Sequence, residues 1–384
     1  MTSRAGPAAT RRSPKSPDAD GRGRTQRESG RPSGRSAHPA AGRVGPRCRS
    51  GRRCRADRLQ PGSPAHFRAD NGVIRGLDGE VFVPVGSNIG TRKTFDWKGD
   101  SRGHAEAALE WGWNTVRLNV MVTDAAKWSF VEMYGVPALL DLVSEVVEEY
   151  TGAGLVVIVD AHDNPKIKSY DQHAMEHDML AWWTAAATRF RDNPRVWSGL
   201  INEPDYANDD WLQLMDAMAT AVRATGNPHP ILIGAPCWGQ DVGYTTPYFT
   251  TARYSYEPSM APALSSRHGN LILEQHNYGA YGKYASADRL AGYLATVRGA
   301  GLTPLIGEFG YTIDGTSTAG EFTANRDGAE AVFEMYRQHQ VGALWWHATH
   351  GDNYSLKANG GPFWDGGAGN GLSEAGRRFW ALTH

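Results

Sequence analysis

The feature that most constrains this chain is a recurrence of short apolar runs, each followed by a stretch with helical spacing. Runs at Val81–Val85, Thr115–Val120, Leu155–Asp160, Val196–Ile201, Ile231–Gly234, Leu271–Gln275, Pro304–Ile306 and Ala343–Trp346 begin about 33 to 41 residues apart, the length of a strand–helix unit. Helical apolar spacing or good helix formers occupy Ala105–Trp111, Pro137–Thr151, Ala174–Phe190, Asp210–Thr225, Ala287–Ala300, Asn325–Gln340 and Ser373–Leu382. Pro137 suits a first helical turn, and Gly152 and Gly301 suit C-terminal caps. The connection from Cys237 to Asn270, rich in Tyr, Thr, Ser and Pro, reads as a long loop. Eight strands alternating with helices predict an α/β fold, a (β/α)8 TIM barrel. The rival, an open doubly wound sheet, calls for a glycine-rich phosphate turn after the first strand, and the sequence has none.

The net charge of −1 hides two pieces of opposite sign. Residues 1–65 hold 16 Lys and Arg against 4 Asp and Glu, leaving 24 basic and 37 acidic residues for the rest. The basic piece is rich in Arg, Gly, Ser and Pro and has no apolar periodicity, so it cannot bury enough surface to offset its ordering entropy. It reads as a disordered extension, or as sequence translated upstream of a true start, before one folded domain over 66–384. Its charge would also draw it to nucleic acid or a membrane surface, but neither is expected as a partner. Arg11-Arg12 is not followed by an apolar core, so no export signal is visible, and no run is long enough to cross a bilayer. The three cysteines, Cys48, Cys54 and Cys237, make neither a disulfide framework nor a zinc ribbon. Near the start of the folded part, Ile74 to Glu80 reads as a small hairpin around Asp78-Gly79.

In a parallel barrel, chemistry collects where strands end. Here those ends carry Arg117, then Asp160 and His162, then Asn202 and Glu203, then His276, Asn277 and Tyr278, then Glu308, then Trp345 and Trp346. Glu203 and Glu308 close the fourth and seventh strands, which places them across the mouth from each other. Two opposed carboxyl groups fit acid/base work on a glycosidic bond, one protonated and one ionised. Arg117 and the Tyr278 hydroxyl are placed to keep Glu308 charged, Asn202 to hold a sugar hydroxyl, and Trp345 or Trp346 to offer a flat apolar face to a sugar ring. Arg117 and Asp160 also have a structural reading, as ion-pair partners within the barrel. His173 and His177 have the spacing of two metal ligands on a helix, but no third ligand is evident and no metal is expected. Trp111, Trp113, Trp182, Trp183 and Trp197 read as packing residues, whereas Trp97, Trp128, Trp211 and Trp364 lie in or near loops where they would add sugar subsites.

Taken in order, Asn202-Glu203-Pro204, His276-Asn277-Tyr278, Gly307-Glu308-Phe309-Gly310 and a strand-eight tryptophan resemble the cellulase and β-mannanase type of glycoside hydrolase family five, over roughly residues 70 to 384. The resemblance implies a retaining double displacement on a β-1,4-linked glucan or mannan. Glu203 then matches the acid/base, Glu308 the nucleophile, Arg117 the arginine beside it, and Asn202 the contact to the 2-hydroxyl. His276 and Tyr278 match a His-x-Tyr pair, His162 a cleft histidine, and Trp346 the aromatic at the −1 sugar. Trp238-Gly239-Gln240 is similar to a segment of bacterial β-mannanases, although a Trp-x-Gln-Asp form also occurs in endoglucanases. Trp345-Trp346-His347 departs from the common Trp-x-Trp pattern. The family also implies a secreted monomer acting on polysaccharide or oligosaccharide without a cofactor. The competing reading is a barrel that binds carbohydrate and has lost catalysis.

Overall fold

The strand reading Val-Val-Ile-Val-Asp-Ala is buried at every position, and so are all the others that follow a helix. A strand with no wet face must be covered on both sides, which a parallel sheet wrapped by helices provides. A computed structural model of the chain describes residues 66–91, 99–123, 130–163, 175–204, 208–240, 260–280, 284–312, 318–349 and 354–384. The basic segment 1–65, Trp97, Trp128 and His173 lie outside these described residues.

A short hairpin comes first, β1 (Arg68–Asp70) and β2 (Val73–Arg75), followed by β3 (Val85–Ile89), α1 (Ala105–Glu110) and β4 (Thr115–Val120). Next are α2 (Phe130–Gly152), β5 (Val156–Ala161), a π-helical turn at Met175–Met179 running into α3 (Leu180–Arg189), and β6 (Val196–Gly199). The chain continues through α4 (Asn208–Ala224), β7 (Ile231–Gly234), α5 (Met260–His268), β8 (Leu271–Asn277) and α6 (Ala287–Gly299). It ends with β9 (Thr303–Phe309), α7 (Ala319–His339), β10 (Gly342–Trp345) and α8 (Glu374–Thr383). Strands β3 to β10 close in sequence order, β10 pairing parallel with β3, so the fold is a (β/α)8 barrel. Among the described residues, no helix is long and apolar enough to cross a membrane.

Three expectations shift. The first barrel strand lies at Val85–Ile89 rather than Val81–Val85, because Pro84 has no N–H for the ladder. Its polar centre, Ser87 and Asn88, disguised it: both are buried and bond Trp345 O and Gly307 O. Second, the stretch between Cys237 and Asn270 contains α5, where Ala261 and Leu264 are the buried apolar residues among those described. Its C-terminal end is held from outside, where Arg223 donates to the His268 and Gly269 carbonyls. Third, Trp211 sits inside α4, fully buried, and donates to Gly234 O, so it is a packing residue. Pro137 does stand near the start of a helical segment, since Gly135 interrupts α2 at φ 74°. The Asp78-Gly79 turn joins Arg75 to Val81, and a second turn, Asn71-Gly72, joins β1 to β2.

The barrel interior is divided in height. Its lower part is an apolar cluster of Val156, Ile158, Trp197, Leu232, Ile272, Leu305 and Leu344, sealed by Phe67 and Ile74 from the hairpin region. Phe67, Phe82 and Trp197 meet edge to face with centroids 4.9 to 6.0 Å apart. Trp197→Ala should cost about 3–5 kcal/mol of folding free energy, read as a lower urea midpoint. A midpoint that did not move would show that the hairpin plug does not bear on barrel stability.

Candidate active site

Side chains alternate along a strand, so one parity of each barrel strand faces inward. At the carboxyl ends the inward parity is polar: Asn88 on β3, Arg117 and Asn119 on β4, Asp160 and then His162 on β5, Glu274 and His276 on β8, and Glu308 on β9. All are nearly inaccessible to solvent. They assemble around the Arg117 guanidinium. Its Nη1 donates to Asn88 Oδ1 at 2.8 Å and Glu308 Oε1 at 2.9 Å, and its Nη2 donates to Asp160 Oδ1 and Asn202 Oδ1, both at 2.9 Å. Its Nε lies 2.7 Å from Glu274 Oε1, an ion pair without hydrogen-bond alignment. Burial works against the charge on Arg117, but Asp160, Glu274 and Glu308 outweigh it and raise its pKa. Asp160 is pulled the other way, below the ordinary carboxylate range, as Arg117 and His162 overcome its burial.

Glu203 and Glu308 face each other across this mouth. One oxygen of each and a ring nitrogen of His276 all lie within 4.8 Å of one another. His276 Nδ1 is 2.9 Å from Glu203 Oε1 and 3.5 Å from Glu308 Oε2, and the Tyr278 hydroxyl donates to Glu308 Oε2 at 3.0 Å. The two carboxyls differ in setting, with 16% of the Glu203 side chain accessible against 5% for Glu308. Burial pushes the Glu308 pKa up, His276 and Arg117 oppose the rise without cancelling it, and Glu203 adds to it. Burial would lower the pKa of His276, but Glu308, the hydrogen bond to Glu203 and the Glu274 carboxylate 3.5 Å away, a contact without hydrogen-bond alignment, carry it up to about 10. Burial also raises Tyr278, which therefore remains a phenol donor. Glu203, His276 and Glu308 are close enough for a metal ion, but Glu308 already binds the Arg117 guanidinium and His276 Nδ1 is engaged by Glu203, so the set does not fit a cation.

The strand-end tryptophans separate cleanly. Trp345 is fully buried, packs on Phe309, Tyr311 and Phe379, and donates to Tyr354 O. Trp346 is half-buried and stacks on His162 at 5.1 Å with rings 7° from parallel. His162 itself is held by Asp160 Oδ2, 2.7 Å from its Nδ1. Trp238 follows β7 beside the other glutamate: its N–H donates to Pro204 O, and the next residue, Gly239, accepts from the His276 N–H at 2.7 Å. A Cβ at Gly239 would stand 2.7 Å from the His276 ring, so only glycine lets this loop press on the imidazole. Trp364 lies away from these groups, stacked on His104 at 4.0 Å. His177, on the π-helical turn, is exposed and meets Asp178 at 3.2 Å.

The fold therefore gathers Arg117, His162, Asn202, Glu203, His276, Tyr278, Glu308 and Trp346 into one mouth, with Trp238 at its edge. Sequence reasoning passed over Asn88, Asn119 and Glu274. The period-two alternation was the available signal, because Asn119 follows Arg117 by two residues and Glu274 precedes His276 by two.

Residues 84–352 match the family model Cellulase (glycosyl hydrolase family 5). The chain is 24% identical over 288 residues to β-mannanase/endoglucanase A of Caldicellulosiruptor saccharolyticus, covering 74% of this chain and 19% of that protein. It is 24% identical over 248 residues to the mannan endo-1,4-β-mannosidase of Streptomyces lividans, covering 64% and 58% respectively. The chain thus spans about a fifth and under three-fifths of the length of these two relatives. Among solved structures, the mannanase catalytic domain of Streptomyces sp. SirexAA-E superposes with a TM-score of 0.59 at 22% identity, over 86% of this chain and 94% of that one. With the family model matched across its barrel from β3 to beyond β10, the chain belongs to the cellulase family, glycosyl hydrolase family 5.

Proposed function

We propose that this chain is a retaining glycoside hydrolase that cleaves a β-1,4-linked glucan or mannan with Glu203 and Glu308. The observation that carries the reading is the spacing of the pair, with facing oxygens within 4.8 Å. Retaining enzymes hold their two carboxyls about 5–5.5 Å apart, whereas inverting enzymes leave room for a water at about 6.5–9.5 Å.

In the first step Glu308 attacks the anomeric carbon while Glu203 gives its proton to the departing glycosidic oxygen. A glycosyl ester on Glu308 and a shortened sugar result. In the second step water attacks the same carbon, Glu203 takes the water proton, and the Glu308 carboxylate is released. The pair must hold one proton between attacks, and hydrogen bonding decides where. Both Glu308 oxygens already accept, one from Arg117 and one from Tyr278. A proton there would displace a donor, so it resides on Glu203. Glu203 is also the more accessible of the two, as a group that serves both a leaving sugar and an incoming water should be.

The other residues position the sugar. Trp346, braced flat against His162, offers an aromatic face to the C–H side of a pyranose ring. The Asn202 amide, oriented by Arg117, meets the 2-hydroxyl, where hydrogen bonds strengthen in the transition state. Trp238 at the edge of the mouth extends the binding surface beyond the cleaved bond.

Glu308→Gln and Glu203→Gln should each lower kcat/KM on a soluble glucan or glucomannan by at least about 1000-fold, with the folded circular-dichroism spectrum kept. Full activity in either variant would sink the assignment. Proton NMR of product as it forms should show the β-anomer first, and an initial α-anomer would mean inversion. The wild-type pH profile should be bell-shaped, since Glu308 must be ionised and Glu203 protonated. The burial-raised pKa of Glu308 should set the acid limb above the ordinary carboxylate range.

A further inference from the structure

A third buried carboxylate lies beside the pair, and the mechanism above does not use it. Glu274 is inaccessible to solvent, and its Oε1 meets two cationic groups, Arg117 Nε at 2.7 Å and His276 Nε2 at 3.5 Å. Its carboxylate also occupies the space that a side chain at 307 would need, since a Cβ on Gly307 would stand 1.8 Å from Oε1. The β8–β9 register shifts at this point: Gln275 pairs with Ile306 but His276 pairs with Glu308, leaving Gly307 as the extra residue. Glu274 thus sits in the bulge that brings Glu308 level with His276.

The environment of His276 is acidic on both sides. Nδ1 faces Glu203 and Glu308, and Nε2 faces Glu274. A neutral imidazole has one N–H and one lone pair, and an ionised carboxylate can only accept. Glu308, ionised in the reading above, lies 3.5 Å from Nδ1 and Glu274 lies 3.5 Å from Nε2, so a neutral ring would turn its lone pair toward one of these two carboxylates.

We propose that Glu274 is a positioning residue that keeps His276 doubly protonated and so fixes an Nδ1–H donor on Glu203. This rests on the reading of Glu203 as the acid/base. The charged neighbours of the ring are Glu203, Glu274 and Glu308; Arg117 pairs with the last two, and Tyr278 donates to Glu308. Burial alone would strip the extra proton from His276, and Glu308, Glu203 and Glu274 together hold it in place.

The test is nitrogen-15 histidine NMR of the full chain with Glu274→Gln as the main variant, the His276 signal being assigned by its loss in His276→Gln. In the wild type, both ring nitrogens should stay protonated between about pH 6 and pH 9. In Glu274→Gln, which keeps the shape and removes the charge, the ring should lose a proton within that range. Alkaline kcat should fall about tenfold with KM changed less than about twofold. Glu274→Asp should restore both the signal and the alkaline activity in part. A wild-type ring that is neutral near pH 7 overturns the proposal even where Glu274→Gln does not fold. So does a folded Glu274→Gln whose spectrum and pH profile match the wild type. A wild-type chain inactive on every β-1,4-glycan would instead sink the functional reading, leaving the spectra to decide this one.

Discussion

The structure turns on one buried guanidinium. Arg117 has no contact with solvent, yet it meets oxygens from Asn88, Asp160, Asn202, Glu274 and Glu308. Taking an arginine out of water costs several kcal/mol, and only close, well-aligned anions and dipoles offset it. The dependence also runs in reverse. Without the guanidinium, Asp160, Glu274 and Glu308 would be buried like charges with little to neutralise them, a change that typically costs 3–5 kcal/mol. Arg117, itself on β4, binds residues from β3, β5, β8 and β9 and from the end of β6, so the same contacts that arrange the carboxylates also tie the barrel's upper rim together.

This explains the vertical division of the barrel. Its lower interior is filled with Val, Ile, Leu and Trp and sealed by the Phe67–Phe82–Trp197 cluster. Apolar burial there, at roughly 25 cal/mol per Å², carries the stability, which frees the upper interior for groups chosen by chemistry. Polar side chains at that depth are held largely by pairing with one another. His162 has Asp160, Asn119 has Asn88 and Asp160, and Asn88 reaches across to Gly307 O.

How much of this the amino-acid sequence revealed depended on whether the local pattern matched the local role. The barrel was legible because seven of its strands are apolar runs at regular spacing, and Glu203, Glu308, His276 and Tyr278 were legible because each ends one. The first strand was hidden by its own function, since Ser87 and Asn88 break the apolar run in order to hold Trp345 O and Gly307 O. Helix α5 was hidden by a narrow apolar stripe and by reliance on Arg223 from a neighbouring helix for its C-terminal carbonyls. The choice between Trp345 and Trp346 could not be read locally at all. Adjacent residues on a strand point to opposite faces, and which parity faces the mouth follows from pairing with β9 and β3.

Glycine at 307 links register to electrostatics. An unbulged β9 would carry the pairing of Gln275 with Ile306 straight on to His276 with Gly307, putting Glu308 opposite Asn277. The extra residue shifts Glu308 back by one, to the level of His276, where Arg117 and Tyr278 also reach it. The bulge requires that nothing project from position 307, because the Glu274 carboxylate lies against its α-carbon. The third carboxylate, the missing side chain and the shifted ladder therefore form one device. Four acidic side chains, Asp160, Glu203, Glu274 and Glu308, crowd around Arg117 and His276, and burial together with Glu203 raises the pKa of Glu308. Under the double displacement proposed above, a mouth built this way would hold the one proton the pair needs before any sugar binds.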